Sequence, residues 1–469
     1  MTNEHDRLDS RFSIVSAFWK PQIPQHVLTG TLTNDDDGLT FTTSPRYSYR
    51  VRVDSLASLM RLSEGDAVPR IQVMHGFSAD GICTLCQLIE IAHPGLNDTA
   101  SGHWIEANSY RASVFVGGIH LGGIDDRSLT SAHFTFTGIG EWLPGPLNEV
   151  WETDHIVLKI PLTEKEVFSL GVRETHVHVS LKVISEIKSN GDDGGRVTRP
   201  VAFIEIKSYE PESLNWYLAI GNRIENIFSL LLGASLAMET MFVFRGDEVG
   251  HVVSKRKRVV EKVGVFDCVR CTTSQLAQAI AIWLSQPDEF SLVESLALGV
   301  LRKGDLFYET ELLSLAQALE GFHRVTSEAI PVDKATLRRI RKSYAALLRQ
   351  EGVEEALASR LCSAMAHAND PTFAARLTDL CSRLSDIALH NMGIEPASFI
   401  PQVVATRNYY THAGNKISSH WRALPLSGVP IFFLNQKLRA LLRGVLLLHI
   451  GLPEQQITAL ITREATRWR

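Results

Sequence analysis

ESLNWYLAIGNRIENIFSLLLGAS, residues 212–235, divides the chain into two textures. Leu214, Tyr217, Leu218, Ile224, Ile227, Phe228 and Leu231 recur at helical spacing, and Gly233 stands where such a helix can stop. Before Pro211 the sequence reads mainly as β. After it comes a short β return, METMFVFRGDEVGHVVSKRKRVVEKVGVF (238–266), and from about Thr273 nearly everything is helical.

Working outward toward the N-terminus, RPVAFIEIKSYE (199–210) and VHVSLKVISEIKS (177–189) flank NGDDGGRVT (190–198), which predicts a long hairpin. AHFTFTGIGEW (132–142) and ASVFVGGIHLGG (112–123) carry β-branched and aromatic residues between glycines. VLTGTLTNDDDGLTFTTS (27–44) reads as two strands around Asp35–Asp36–Asp37–Gly38, where side-chain hydrogen bonds and a glycine favour a turn. Periodicity does not choose between a sandwich and a barrel. Toward the C-terminus, LLSLAQALEGFHRVT (312–326), DKATLRRIRKSYAALLRQ (333–350), PTFAARLTDLCSRLSDIA (371–388) and PASFIPQVVATRNYYTH (396–412) are amphipathic. PIFFLNQKLRALLRGVLLLHIGL (430–452) adds a stripe of Leu434, Leu438, Leu441, Leu442 and Val445, closed by Gly451 and Pro453. The expected fold class is α+β and multidomain: a β-rich, sandwich- or barrel-like N-terminal module followed by an all-α bundle. The expected boundaries are 1–300 (β-rich 1–210; helix, β return and linker helix 211–300) and 301–469.

A chain of 469 residues with 45% hydrophobic content can bury a sizeable core. Its 47 basic and 52 acidic side chains leave a formal charge of −5, so only a local patch would attract nucleic acid. The opening MTNEHDRLDSRFS lacks the apolar core of a secretory signal, and Lys437, Arg439 and Arg443 interrupt the most apolar helix. With six cysteines in so long a chain, the expectation is a cytoplasmic protein without a membrane span or a disulfide framework.

RNYYTH (407–412) holds the candidate chemistry. On a helix, Asn408 and His412 share a face, whereas Arg407 and His412, five apart, point about 140° away from each other. They converge if the last turn loosens before Gly414, or if two copies meet across a two-fold axis. The group suits RNA cleavage by 2′-OH attack: histidine moves protons near neutral pH, and arginine offers a fork of donors to phosphate oxygens. Tyr409 or Tyr410 can stack on a base. The plain alternative is the polar face of an ordinary amphipathic helix.

Other candidates carry their own plain readings. Lys255–Arg256–Lys257–Arg258 is a solvated turn or an RNA-contacting loop. Arg338, Arg339, Arg341 and Lys342 form a second basic patch, an ordinary polar face or a guide for substrate. Cys83/Cys86 and Cys268/Cys271 have zinc-like spacing, but their separation exceeds that of a zinc ribbon, and strand residues three apart face opposite ways. No metal site is expected. Glu320 either braces Arg407 or pairs with Arg324 on its own helix. His323, His367, His390 and His449 have no partners at telling spacings and read as structural.

A helical bundle with R-N-x-x-x-H ending its penultimate long helix resembles the HEPN superfamily. The supporting stretches are LLSLAQALEGFHR (312–324), FAARLTDL (373–380), RNYYTH and the closing helix ending HIGLP (449–453). The first half resembles the N-terminal domain of ApeA-type proteins through FWKPQIPQHVLTGTLTNDDDGLTF (18–41), MHGFSADGICTLCQLIE (74–90) and IEIKSYEPESLNWYLAIGNRIENIFSLLLG (204–233). The resemblance implies a metal-independent endoribonuclease without cofactor, homodimeric through the HEPN bundle. Arg407 would bind the scissile phosphate, His412 act as acid–base, and Asn408 position the histidine or the phosphate. It also implies an antiphage, abortive-infection effector whose N-terminal domain senses a phage-derived trigger or restrains the nuclease. Two alternatives stand beside it: a non-catalytic RNA-binding, dimerising HEPN scaffold with a partner-recognition β-domain, and a ligand-binding β-domain with a helical oligomerisation tail.

Overall fold

The structure, a computed structural model, describes residues 11–35, 38–43, 46–49, 70–91, 96–98, 103–106, 109–142, 148–152, 155–159, 165–189, 196–254, 268–302, 306–327, 333–365, 370–412 and 423–465. These fall into two compact units, one within Met1–Phe228, Leu236–Lys262 and Thr272–Ser285, the other within Ser229–Ser235, Val263–Cys271 and Gln286–Arg469. The first boundary between the units falls within the helix Leu214–Leu232.

In the first unit, β1 (Phe12–Trp19), β2 (Leu28–Asp35), β3 (Gly38–Thr43), β5 (Arg70–Ser78), β6 (Gly81–Ile91) and β9 (Ser109–Ala112) pair in the ring β6–β5–β1–β2–β3–β9–β6. The choice between sandwich and barrel is thus settled as a closed barrel. The predicted β2–β3 turn is present, with Gly38 N–H donating to Asp35 Oδ1 at 3.3 Å. Closure depends on β6 changing partner. Its Cys83–Cys86 stretch pairs with β10 (Val114–Gly117), and Ile89–Ile91 pairs with β9. Gln87 takes a positive φ at the changeover, and Ser113 N–H donates to Cys86 O at 3.2 Å. Phe18, Leu32, Leu39, Phe41, Met74 and Leu85 fill the barrel and are fully buried. Phe18 and Phe41 meet edge to face at 4.7 Å.

From β10 the sheet continues as an open surface: β18 (Glu248–Ser254), β17 (Met238–Arg245), β11 (Leu129–Phe136), β16 (Arg196–Glu212), β15 (Val177–Ser189) and β14 (Lys165–Val172). The long β15–β16 hairpin is the one expected around 190–198. One face is apolar, with Phe134, Leu181, Ile204 and Val243 buried, and the expected helix, Leu214–Leu232, lies against it. Contact is close: a Cβ on Gly221 would lie 2.7 Å from the Phe134 ring. Tyr217 OH also bonds Ser208 Oγ at 2.6 Å. Thr273–Leu284 is capped by a reciprocal Thr272–Gln275 box, and its buried Trp283 donates Nε1–H to Arg223 O at 3.0 Å. Smaller groups are the sheet of β4 (Arg46–Tyr49), β7 (Leu96–Asp98) and β8 (His103–Glu106), and the pair β12 (Asn148–Glu152) and β13 (His155–Lys159).

The second unit is helical. Tyr308–Thr326 is its central element, packing against Phe290–Arg302, Phe373–Ser382, Pro396–Thr411 and Val429–His449. Lys334–Gln350 pairs with Glu355–Ala364, a helix that periodicity did not single out. The stretch 371–388, expected as one helix, is two. Arg383 closes the first, and Ser385 starts Asp386–Asn391, its hydroxyl accepting from Ala388 N–H at 3.3 Å. Serine competes locally for backbone N–H groups, which is why amphipathic spacing alone overran the break. The two arginines in the apolar Val429–His449 helix have acceptors inside the unit. Arg439 pairs with Glu311, and Arg443 Nε donates to Leu230 O at 3.1 Å. Gly233, at φ +66°, leaves room for that guanidinium, 2.8 Å from where a Cβ would stand. Among the described residues no helix is long and apolar enough to cross a membrane.

Candidate active site

RNYYTH closes the helix Pro396–Thr411. Phe399, Ile400, Val403, Ala405 and Thr406 are buried, which fixes its rotation and leaves Arg407 and Asn408 at the margin of the core. The helix carries Pro396 in its first turn and Pro401 inside it. Its outer side holds the segment leading to the next helix: Gln402 Nε2 donates to Leu424 O, Leu426 N–H to Thr406 Oγ1 at 3.2 Å, and Tyr410 OH to Leu426 O at 3.4 Å. Gly414, before which a loosened last turn would let Arg407 and His412 converge, lies outside the described residues.

Arg407 turns inward to Glu320 of the central helix. Its Nη2 is 3.6 Å from Glu320 Oε2, its guanidinium stands 5.6 Å from the centre of the Phe373 ring, and Nη1 donates to Asn408 Oδ1 at 3.2 Å. The Arg407 side chain is 31% exposed, so one side of the fork faces solvent. Glu320 lies between three cations, with Arg324 at 3.7 Å and Arg376 at 4.0 Å. Both geometric alternatives for Glu320, toward Arg407 and toward Arg324, are therefore present together.

His412 follows the last helical residue. Its N–H still donates to Asn408 O at 3.1 Å, but its side chain is exposed and has no polar partner among the described residues. Among the described residues no hydrogen bond joins the Asn408 amide to the imidazole. The amide oxygen faces Arg407 instead, because His412 has left helical geometry at φ −102°, ψ 22°. Among the described residues of one chain, then, Arg407 and His412 share no partner. Tyr409 and Tyr410 are half-buried and meet edge to face at 5.1 Å.

Behind this pair is a network that sequence spacing did not reveal. His323 is buried on the central helix, its Nε2 3.3 Å from Asp379 Oδ2 and its Nδ1 3.3 Å from Arg376 Nη1. A guanidinium only donates, so the ring carries its proton on Nε2, toward the carboxylate. Burial holds this histidine below its ordinary value; Arg376 and Arg383 add to that, against the attraction of Asp379. Arg376, itself buried, also donates Nε–H to Pro371 O at 3.0 Å. His449 likewise has partners: it bonds Gln286 Oε1 at 3.0 Å and stacks on Phe290. The only signal for the first network was one helix face carrying Arg376, Asp379 and Arg383 at three- and four-residue spacing. Nothing local tied that face to His323.

Lys255, Arg256, Lys257 and Arg258 lie outside the described residues, as does His367. Arg338, Arg339 and Lys342 are exposed and Arg341 half-buried. Cys83 faces the barrel core and Cys86 is buried on the opposite side of the strand; burial pushes both thiols up to about 12. Cys268 is buried, and burial pushes the half-buried Cys271 thiol up to about 11.

Residues 313–456 match the Apea-like HEPN family, and residues 13–262, more than half of the chain, match ApeA N-terminal domain 1. HEPN domains are typically ribonucleases and commonly dimerise and bind RNA. No curated protein and no solved structure matches the chain. The chain belongs to the ApeA family of antiphage-defence HEPN proteins, with an ApeA N-terminal domain preceding an ApeA-like HEPN domain.

Proposed function

We propose that the protein is a metal-independent endoribonuclease acting as an abortive-infection effector in the cytoplasm. The observation that carries this reading is a half-exposed Arg407 fork, held from behind by Glu320 and Phe373, at the end of a helix that presents an exposed His412. Arg407 neutralises charge on the scissile phosphate as the 2′-OH attacks. His412 moves the proton at the attacking or leaving oxygen, and Asn408 orients the guanidinium through its amide oxygen. The attacking group is part of the substrate, so proton transfer and charge neutralisation are all the protein must supply.

A homodimer fits the separation of the two side chains. Beside the motif helix, Phe307, Leu424, Val429 and Phe433 are exposed apolar residues on neighbouring segments of the bundle, Phe307 at 83%. Tyr308 meets Phe432 at 5.7 Å, and Asn435 ties its backbone to the same end of the following helix. Covering this patch with a second copy brings the motif of each chain toward the other's. The N-terminal domain senses a phage-derived trigger or restrains the nuclease.

A second reading is favoured by one specific feature: among the described residues, Arg407 and His412 of a single chain share no partner. On that reading the bundle dimerises and holds RNA without cutting it. A mixed RNA pool incubated in EDTA with wild type and with His412→Ala, both checked as folded dimers, decides between them. Cleavage by wild type alone, leaving 2′,3′-cyclic phosphate ends, is expected. RNA binding without cleavage, with or without a phage lysate as trigger, would favour the scaffold.

A further inference from the structure

From Lys334 to Gln350 the helix carries six basic residues and no acidic one. Arg338, Arg339, Lys342 and Arg349 are exposed, and Arg341 is half-buried. Among the described residues, none of these five side chains has a hydrogen bond or an ion pair. Arginines elsewhere in the same unit differ: Arg376, Arg383, Arg439 and Arg443 each meet an acceptor. The acids of the helical hairpin stand outside the span. Asp333 caps the helix, accepting from Ala335 N–H and Thr336 N–H at 2.9 Å, and Glu351, Glu354 and Glu355 follow its far end. Over 333–365 seven basic residues stand against four acidic ones, so the hairpin is positive in a chain of net charge −5.

Helical geometry gathers four of these cations. Each residue advances about 100°, so Arg338, Arg341, Lys342 and Arg349 fall within an arc of about 100°, along about 16 Å of axis. Arg338 lies three residues before Arg341 and four before Lys342, spacings at which like charges repel and oppose the helix. An ordinary solvated face intersperses acids at those positions. Here the repulsion has no compensation within the helix, and an external polyanion would supply it.

Three other occupants fit the face less well. Ile340 and Leu347, 43% and 50% exposed, lie roughly 150–170° round the helix from the centre of the arc. A helix lying on a membrane buries such residues, which would turn the four cations away from the headgroups. A folded protein partner needs apolar contact at the centre of the interface, and the residue there is Ala345. A single strand needs rings on which splayed bases stack, but Tyr344 is half-buried and about 110° away. What the arc offers is a rigid row of donors to phosphates, and a duplex fixes its phosphates in rows. We propose that this face binds the phosphate backbone of a base-paired RNA stem, so that the RNA taken by the protein is folded. The choice of RNA rests on the ribonuclease reading above; binding at this face does not require cleavage at Arg407 and His412.

The test uses the full chain carrying His412→Ala and three probes: an RNA hairpin with a twelve-base-pair stem, an unstructured RNA strand of equal length, and a DNA hairpin of the same sequence. Affinity is read by fluorescence anisotropy across a salt series. The RNA hairpin is expected to bind at least five-fold more tightly than either other probe. Arg338→Gln/Arg341→Gln/Lys342→Gln/Arg349→Gln should weaken it at least ten-fold and lower the log–log salt slope by about 3.6, for four duplex phosphate contacts. Its urea midpoint should be unchanged or higher, because the like-charge repulsion is gone. Arg338→Gln/Lys342→Gln alone should give about half that change in slope. Hairpin affinity and slope that stay the same in both variants overturn the proposal, as does a DNA hairpin or an unstructured strand that binds equally well. Retention on phosphatidylglycerol vesicles that the variants abolish, without hairpin binding, reassigns the face to lipid and overturns it too. RNA cleavage by wild type with none of these effects removes this proposal and leaves the ribonuclease reading intact; hairpin binding through these residues with no cleavage by wild type does the reverse.

Discussion

Two carboxylates, one in each unit, are each surrounded by three cationic or imidazole groups, and they are built differently. Glu205 is 9% exposed and bound at 2.9, 2.9 and 3.2 Å by side chains on adjacent strands. Glu320 is 27% exposed, and its cations stand at 3.6, 3.7 and 4.0 Å. The sheet cluster is a short, fixed hydrogen-bonded unit. The bundle cluster holds Arg407 by charge at longer range, so the guanidinium can give up one partner for a phosphate at small cost. Tight pairing sets a surface; loose pairing leaves a reagent available.

The largest expected effect tests the loose side. His412→Ala should lower RNA cleavage by about 10²–10⁴-fold while dimerisation and RNA affinity stay unchanged, as read by single-turnover cleavage and by filter binding. Arg407→Lys keeps the charge but loses the fork, and should cost about 10²-fold in the same assay. Retained activity in that variant would mean that Arg407 serves only as a cation.

Stability separates the two clusters next. Glu205→Gln removes a nearly buried carboxylate bound by three side chains and should cost about 2 kcal/mol by urea unfolding of the first unit. Glu320→Gln should cost under about 1 kcal/mol, its effect falling instead on cleavage. Equal losses of stability would mean that the two clusters are built alike. pH sharpens it. The Glu205 carboxyl is depressed in the fold from an ordinary 4.5 to about 2. Its stabilisation is therefore complete above about pH 4.5 and is lost as pH falls toward about 2. The gap between wild type and Glu205→Gln in a urea series should close over that window; a constant gap would assign the loss to packing.

Much of the fold was legible because the deciding interactions are local. The Asp35–Gly38 turn, the β15–β16 hairpin and the Gly233 stop each rest on residues a few positions apart. The ends of the motif helix were readable for the same reason. The break at Ser385 was not, since a short cap competes with amphipathic spacing that continues across it. The surroundings of the candidate site were only partly readable: Glu320 was named, but His323, Arg376 and Asp379 were not seen as its setting.

The sequence by itself determined the change of texture near Pro211, the β and helical character of the two units, and the placement of Arg407, Asn408 and His412 at a helix end. Periodicity and capping act over one or two turns, so a linear string carries them. Tertiary structure alone decided that β9 closes a barrel, that Glu205 meets His133 from 72 positions away, and that Arg407 turns to Glu320 while His412 faces outward. Those outcomes depend on strand register and helix rotation. Both follow from which apolar faces are buried together, and no local spacing encodes that choice.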